Sequence, residues 1–353
     1  MTRRITLADV AERSGASKAT VSLVLNSKEA RISPETVERV KKVAQELGYS
    51  PNQAAQTLRT GKTNTLAFIS DEVLTTRFAS AMTQGILEVA ERHAQMVLMA
   101  ETEHQPSRWA KALDSMKSRQ VDGYILGLMR ARDLEKVDIP TNQPAVVVNG
   151  RATGIASILP NEVVAGQAAV NHLVKYGHRE IALIGRPEDP TANPGTMNIP
   201  RRIAGVDQAM AAAGLTFADE HEGILWESET GYEGVKAILA RTSGITAFIA
   251  ANDRVAFGIY RALHEQGLVV PNDISVISFD DEELAGYMHP GLTTLRLPYA
   301  EMGQAATQIL LQEDPAQLID GVEASGNEVL IPMPLIERSS VAAPPSTGSH
   351  TRQ

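Results

Sequence analysis

The chain has no cysteine, which excludes disulfides, thiolate nucleophiles and cysteine-ligated metals. It also has no apolar run of the about 18 to 20 residues that a membrane span needs. The charged start Met1-Thr2-Arg3-Arg4 leads straight into an amphipathic pattern, with no apolar leader core behind it. A cytoplasmic, soluble protein is therefore expected. The usual catalytic signatures are missing too. There is no Gly-x-Ser-x-Gly elbow and no His-Glu-x-x-His pair, and the eight histidines are scattered. Gly61-Lys62-Thr63 looks like the end of a phosphate loop, but Gln56 stands where that loop needs a glycine. No catalytic residue, metal or cofactor is expected, and His172 and His178 read as structural.

What is present is a chain of 353 residues, 43% apolar, enough for two or three domains with sizeable cores. Its net charge of −9 is unevenly spread. Residues 1–62 carry 11 basic and 6 acidic side chains, a net of +5, while the other 291 carry a net of −14. A basic head on an acidic body is what phosphate binding at one end would require, although short segments also fluctuate in charge by a few units.

The head reads as three helices. Thr6 caps the first, with Asp9 at its third position and Leu7, Val10 and Ala11 on one face. Gly15-Ala16 breaks it. Ser17 caps a second helix from Lys18 to about Leu25, with Val21, Val24 and Leu25 inward, which Asn26-Ser27 ends. Ser33-Pro34-Glu35 starts a third, buried along Val37, Val40, Ala44 and Leu47 and stopped by Gly48. Two short helices joined through a glycine turn and braced by a longer one form a helix-turn-helix unit, whose second helix enters the major groove. Lys18, Ala19, Ser22 and Leu23 point outward from that helix. The same caps and stripes would also suit a plain three-helix bundle.

The strings Ile5-Thr6-Leu7-Ala8-Asp9-Val10-Ala11, Gly15-Ala16-Ser17-Lys18-Ala19-Thr20-Val21-Ser22 and Gly48-Tyr49-Ser50-Pro51-Asn52 closely resemble the lactose-repressor/galactose-repressor (LacI/GalR) family of bacterial regulators. The resemblance implies that Lys18 and Ala19 read base edges. It implies that Thr6, Leu7, Ser17, Thr20 and Ser22 meet phosphates, with Asn26 also at the DNA. Leu23 departs from the family pattern, where Arg or His is common. A leucine offers only apolar contact, for instance to a thymine methyl. After Pro51, Asn52 can cap and Gly61 can end a helix of about two turns, too short to persist alone in water. In similar proteins this is a hinge helix that orders on DNA and wedges a leucine into the minor groove. Leu58 matches that leucine, and Asn52, Ala55, Gln56 and Arg59 accompany it.

From Thr65 onward, short apolar runs alternate with amphipathic helices. Strands are expected at Leu66–Ile69, Met96–Ala100, Tyr124–Leu128, Ala145–Val148, Ile181–Ile184, Ala247–Ala250 and Ser275–Phe279. Helices are expected at Phe78–His93, Trp109–Ser118, Ala165–Val174, Ile203–Ala213, Gly231–Leu239, Val255–Glu265 and Met302–Leu311. This pattern argues for parallel sheets wound on both faces, split into two lobes with a crevice at the strands' C-terminal ends. Pro187–Pro200 reads as a loop able to act as a lid. The family resemblance continues through Gly177-His178-Arg179, Arg202-Ile203-Ala204-Gly205, Ala250-Ala251-Asn252-Asp253 and Ser275 to Asp281, and the body is similar to periplasmic sugar-binding proteins.

The expected fold is thus an N-terminal all-α helix-turn-helix headpiece plus an α/β two-lobed periplasmic-binding-protein-like body. The headpiece spans 1–47, the hinge 48–61 and the effector-binding and dimerisation domain 62–340. Within that domain the N-lobe covers about 62–160 and 293–325, and the C-lobe about 161–292 and 326–340. Residues 341–353, rich in Pro, Ser and Gly, read as a disordered tail. Polar groups at strand ends (Asp71, Asn149, Asn252 and Asp280) would line an effector site, or alternatively cap helices and turns. The resemblance adds Thr76, Phe78, Arg202 and Trp226, the last to pack on a sugar face. Pro160 stands where many members carry an acid or an aromatic.

The expected function is a DNA-binding transcription repressor that binds a palindromic operator as a homodimer under the control of a small molecule, a sugar first and a purine or other metabolite second. No leucine heptad near the C-terminus points to a tetramer. A sugar-modifying enzyme with a DNA-binding head would need a catalytic base and a phosphate cradle, and neither is present. A secreted sugar-binding protein would need a leader and would not need the headpiece.

Overall fold

The computed structural model describes residues 5–25, 32–49, 57–58, 60–77, 79–134, 137–140, 143–188, 197–223 and 225–345. The chain divides into two compact units, Met1–Asn64 and Thr65–Gln353.

The first unit holds α1 (Leu7–Ser14), α2 (Lys18–Leu25) and α3 (Pro34–Glu46). Thr6 closes a full capping box on α1: its hydroxyl faces the Asp9 N–H, and the Asp9 carboxylate accepts the Thr6 N–H at 2.7 Å. Gly15 ends α1 at φ 67°, a left-handed turn that glycine adopts without strain. Ser33 caps α3 by accepting the Thr36 N–H, and Pro34 occupies its first turn. Val10, Ala11, Val21, Val24, Val40 and Ala44 meet in one small core. Arg39 of α3 donates from Nε to the Ser14 carbonyl at 3.0 Å, satisfying an otherwise unpaired carbonyl at the end of α1.

The second unit carries two sheets. The first contains β1 (Thr65–Ser70), β2 (Met96–Glu101), β3 (Gly123–Leu134), β4 (Ala145–Ala152), β5 (Ala156–Pro160), β11 (Glu323–Ser325) and β12 (Glu328–Ile331) in the order β11-β12-β5-β4-β3-β1-β2. All pairs are parallel except β11–β12. The period-two alternation of a strand sends Leu66 and Phe68 of β1 to one face and Ala67 and Ile69 to the other. The first face packs on α4 (Ser80–Arg92) and α11 (Tyr299–Leu310) through Met82, Ile86, Met302 and Ala306. The second packs on α5 (Pro106–Ser118) through Leu113 and Met116.

The other sheet contains β6 (Ile181–Arg186), β7 (Asp219–Glu222), β8 (Ala247–Ala250), β9 (Ser275–Asp280), β10 (Thr293–Arg296) and β13 (Leu335–Ile336) in the order β13-β10-β9-β8-β6-β7. Helices α6 (Glu162–Lys175) and α7 (Asn198–Ala212) cover one face. Helices α8 (Ser228–Arg241) and α9 (Asp253–Glu265) cover the other, and the short α10 (Glu283–Tyr287) follows β9. Strands buried on both faces explain their nearly unbroken apolar runs.

Three expectations need correction. The chain leaves the second sheet only after Arg296 and returns to it only after Ile331, not near 292 and 325. Thr293–Arg296 first pairs with β9, and Glu328–Ile331 first pairs with β5. Residues 341–345 are not a free tail. The carbonyl of Ser340 accepts the Val276 N–H, Val341 is buried, and Ala342 N–H donates to Ser275 Oγ. The Pro187–Pro200 stretch is not loop to its end, because Asn198 already opens α7. The preceding residues 189–196 lie outside the described residues.

His178 is buried against this C-terminal strap. Its Nδ1 meets Thr246 Oγ1 at 2.9 Å, and its Nε2 donates to the Ala342 carbonyl at 2.8 Å. Burial lowers its pKa, and the hydrogen bond to Ala342 only partly offsets this. The unfolded chain therefore takes up the proton first. The stability from the neutral ring is complete above the ordinary histidine pKa of about 6.5 and declines as pH falls below it. The melting temperature should fall on acidification from about pH 7 to about pH 5, as scanning calorimetry would show. His178→Asn should lower the melting temperature at neutral pH and flatten that acid slope. An undiminished slope in the variant would place the sensitivity elsewhere.

Candidate nucleic-acid interface and effector cleft

On the headpiece, Ser17, Lys18, Ala19 and Leu23 are exposed along α2, while Thr20 and Ser22 are half-buried. Ser17 Oγ accepts the Thr20 N–H at 3.0 Å and shares a hydrogen bond with Thr20 Oγ1. Thr6 Oγ1 donates to Asp9. These hydroxyls thus hold the helix starts beside the first-turn N–H groups, and Lys18, Ala19 and Leu23 lie on the exposed side of α2. Such N–H groups suit phosphate oxygens. Leu23 is 43% exposed and Leu58 is 90% exposed. Leu58 sits on a helical turn closed by the Gly61 N–H on the Thr57 carbonyl at 2.8 Å. Asn26, Asn52, Ala55, Gln56 and Arg59 lie outside the described residues, as does Phe78.

In the body, Arg202 organises the ends of the second sheet's strands. Helices α6 and α7 cross so closely that a Cβ on Gly166 would lie 2.4 Å from the Arg202 carbonyl, and one on Gly205 2.1 Å from that of Val163. Only glycine permits this approach. It brings Glu162, at the start of α6, onto Arg202 of α7. Arg202 Nε and Nη2 donate to the two Glu162 oxygens at 2.7 and 2.9 Å, a bidentate pair. Nη2 also reaches Asp280 at 3.0 Å, and Nη1 donates to the Ala251 carbonyl at 2.8 Å. The guanidinium lies 4.6 Å from the Phe279 ring centre and 5.3 Å from that of Trp226. Burial opposes the Arg202 charge, yet Glu162 and Asp280 outweigh it and raise the pKa, so the side chain stays protonated. Burial also pushes the Glu162 carboxyl up, against the pull of Arg202.

Trp226 and Asn252 join this group. Trp226 Nε1 donates to the Gly185 carbonyl at 2.8 Å. Asn252 Oδ1 accepts the Val255 N–H and so caps α9, while Nδ2 donates to the Trp226 carbonyl at 3.1 Å. Much of its hydrogen-bonding capacity therefore goes to the fold. Next to it, Asp253 accepts from Ser278, Thr294 and the Glu282 N–H. Burial first, and the charge of Asp280 second, push its pKa up to about 8.

On the facing lobe, Asn149 takes a left-handed backbone at φ 58° and donates from Nδ2 to the Leu128 and Met129 carbonyls. Asp71 is wholly buried, accepts the Met129 N–H at 2.7 Å and pairs with Arg132 and His104. Thr76 is half-buried in the turn before α4. The lobes are stitched together by Asn198 Nδ2 on Asn149 Oδ1 at 2.8 Å, Met197 N–H on the Ala131 carbonyl at 2.9 Å, and Arg201 on Glu328 at 2.9 Å.

The structure therefore gathers Arg202, Trp226, Asn252 and Asp280 in one lobe and Asn149 in the other, while Asp71, expected to line the same site, is buried against Met129, Arg132 and His104 instead. Sequence reasoning missed Glu162, Asn198 and Arg201. An acid beside the apolar run Val163-Val164-Ala165 was the available signal for Glu162. Among the described residues no cluster of His, Asp and Glu could hold a metal, and no helix is long and apolar enough to cross a membrane.

A family model described as bacterial regulatory proteins, lacI family, matches residues 6–52, and a periplasmic binding protein-like domain matches 170–341. The HTH-type transcriptional regulator AscG of Escherichia coli (strain K12) is 31% identical over 349 residues, 96% of this chain and 99% of that protein. The ribose operon repressor of Haemophilus influenzae is 29% identical over 314 residues, 87% of this chain and 91% of that protein. Among solved structures, the lac repressor dimer bound to operator and an anti-inducer superposes with a TM-score of 0.68 at 28% identity, covering 97% of this chain and all of that one.

Truncating one member of a buried ion pair strands the other. Glu162→Ala should destabilise the body by about 3 to 5 kcal/mol, measured by urea denaturation followed through tryptophan emission. A loss below about 1 kcal/mol would mean that Asp280 alone supports Arg202.

Proposed function

Because the chain belongs to the LacI family of bacterial regulatory proteins, we propose that it represses transcription by gripping a palindromic operator as a homodimer, under the control of a sugar held between the two lobes of its body. The observation that carries this reading is the pairing, in one chain, of an exposed recognition helix with a polar cleft at the strand ends. Binding, not catalysis, is its work, and it acts in the cytoplasm where its DNA lies. In this reading Lys18, Ala19 and Leu23 face base edges, and Thr6, Leu7, Ser17, Thr20 and Ser22 face phosphates.

One headpiece reads one half-site, so a palindrome requires two. The outer strand β2 leaves Met96 and Met99 exposed, and Leu87 of α4 adds further apolar surface. An uncovered sheet edge bearing apolar side chains is a liability for a monomer and supports a self-complementary contact. Leu58, 90% exposed, gains a reason in the DNA-bound dimer, where an apolar side chain can enter a base step.

In the cleft, Arg202, Asp280 and Asn149 offer fixed donors and acceptors beside the Trp226 indole. Such a set suits hydroxyl groups on a ring whose C–H face lies on the aromatic. The ribose operon repressor among its relatives supports the same class. A ligand that binds the closed lobes more tightly than the open ones shifts their equilibrium. It thereby alters the spacing of the two headpieces.

Two variants separate the parts. Leu58→Ala should weaken binding to an operator selected by the purified protein by tenfold or more, about 1.4 kcal/mol, with dimerisation retained. Unchanged affinity in a gel-shift titration would remove Leu58 from the DNA contact. Asp280→Ala should bind the same operator normally yet fail to respond to the sugar that moves the unmodified protein. A normal response would place the effector elsewhere.

A further inference from the structure

The N-lobe contains a second cavity, apart from the Arg202 cluster, between α5 and the long end of β3. Its volume of about 460 Å³ falls in the usual range of small-molecule sites. Trp109, Leu113 and Leu134 form an apolar wall, and Asp71, Arg132 and Lys117 supply polar groups. Asp71 closes the deep end with a side chain of zero exposure. Its Oδ1 takes the Met129 N–H. Its Oδ2 lies 2.5 Å from Arg132 Nη1 and 3.3 Å from His104 Nδ1, neither of them well aligned as a hydrogen bond.

The charges define what kind of ligand fits. Arg132 is paired with Asp71, and Lys117 with Asp138 at 2.6 Å and, more loosely, with the exposed Asp114 at 3.9 Å. Neither cation is left over for a phosphate or carboxylate, and Asp71 and Asp138 each already hold a cation. Hydroxyl groups bond to paired ions of both signs without upsetting that balance. The Trp109 indole presents an aromatic surface to C–H groups. We propose that this cavity is a second effector site, taking an uncharged hydroxylated ring of monosaccharide size independently of the cleft.

The cavity is wired to the other lobe. Residues 128–132 of β3 touch it through Asp71 and Arg132. In the same stretch, the Leu128 and Met129 carbonyls hold Asn149, which holds Asn198, and the Ala131 carbonyl holds Met197. A ligand that shifts Asp71 or Arg132 therefore moves the strand on which α7, and with it Arg202, is docked. This link, unlike the binding itself, rests on the regulatory reading above.

The chain's two tryptophans make the test direct, since one stands at each site. In Trp226→Phe only Trp109 emits, and in Trp109→Phe only Trp226 does. The probes are ribose, glucose, galactose and myo-inositol, titrated to about 50 mM, well beyond the weak-binding range. At least one should change Trp109 emission saturably. That response should survive Asp280→Ala and weaken tenfold or more in Ala110→Phe, which inserts a ring into the cavity from an exposed position on α5. Calorimetry on the unmodified protein should then count one more site per protomer than on Ala110→Phe, which guards against a misfolded tryptophan variant. A silent Trp109 with all four probes, no site lost in Ala110→Phe, or a Trp109 signal abolished by Asp280→Ala would overturn the proposal. A response at Trp226 alone would overturn it while leaving the cleft reading intact.

Discussion

The guanidinium of Arg202 is where the C-lobe's parts converge. It reaches Glu162 at the start of α6, the Ala251 carbonyl after β8 and Asp280 at the end of β9, all from its own place on α7. A charge removed from water to this degree is tolerable only when it is paired and hydrogen-bonded, and here nearly all its donors are used. The cluster thus fixes the relative height of two helices and two strand ends. Whatever enters the cleft meets groups already oriented by one another, and reorganises them only by competing for Arg202.

That convergence depends on backbone proximity. Gly166 and Gly205 let α6 and α7 touch main chain to main chain, and without that approach Glu162 could not chelate Arg202. The same reciprocal device recurs between α4 and α11 at Gly85 and Gly303, and between α8 and α9 at Gly231 and Gly258, where an added Cβ would lie about 2 Å from a facing carbonyl. Three helix pairs therefore pack as tight units. Across the cleft the lobes meet through side-chain and loop contacts instead, those of Asn198, Met197 and Arg201 and the Arg77–Glu283 pair.

Local chemistry was the most legible part of the sequence. The Thr6–Asp9 capping box, the Gly15 turn and the Ser33-Pro34 helix start all act within a few residues, so their spacing announces them. The long strands and helices of the body could be read for the same reason. Pairings between distant residues could not. Glu162 meets Arg202 forty residues away, and Arg201 meets Glu328 across 127. Short strands such as β7, β10 and β13 carry too little periodicity to be recognised alone. Asn252 does stand at a strand end, but much of its hydrogen bonding serves a helix cap and the Trp226 carbonyl. A side chain's type and position do not reveal which of two partners claims it.

The strands that complete each sheet come late in the chain. The first sheet needs Glu323–Ile331, and the second needs Leu335–Ile336 with the strap through Ala342. The headpiece core, by contrast, is made entirely by residues of the first unit, Met1–Asn64. During synthesis it can fold and meet DNA while both lobes still lack their closing strands. A ribosome that stalls or terminates early would thus release a product with a recognition helix but no closed effector domain.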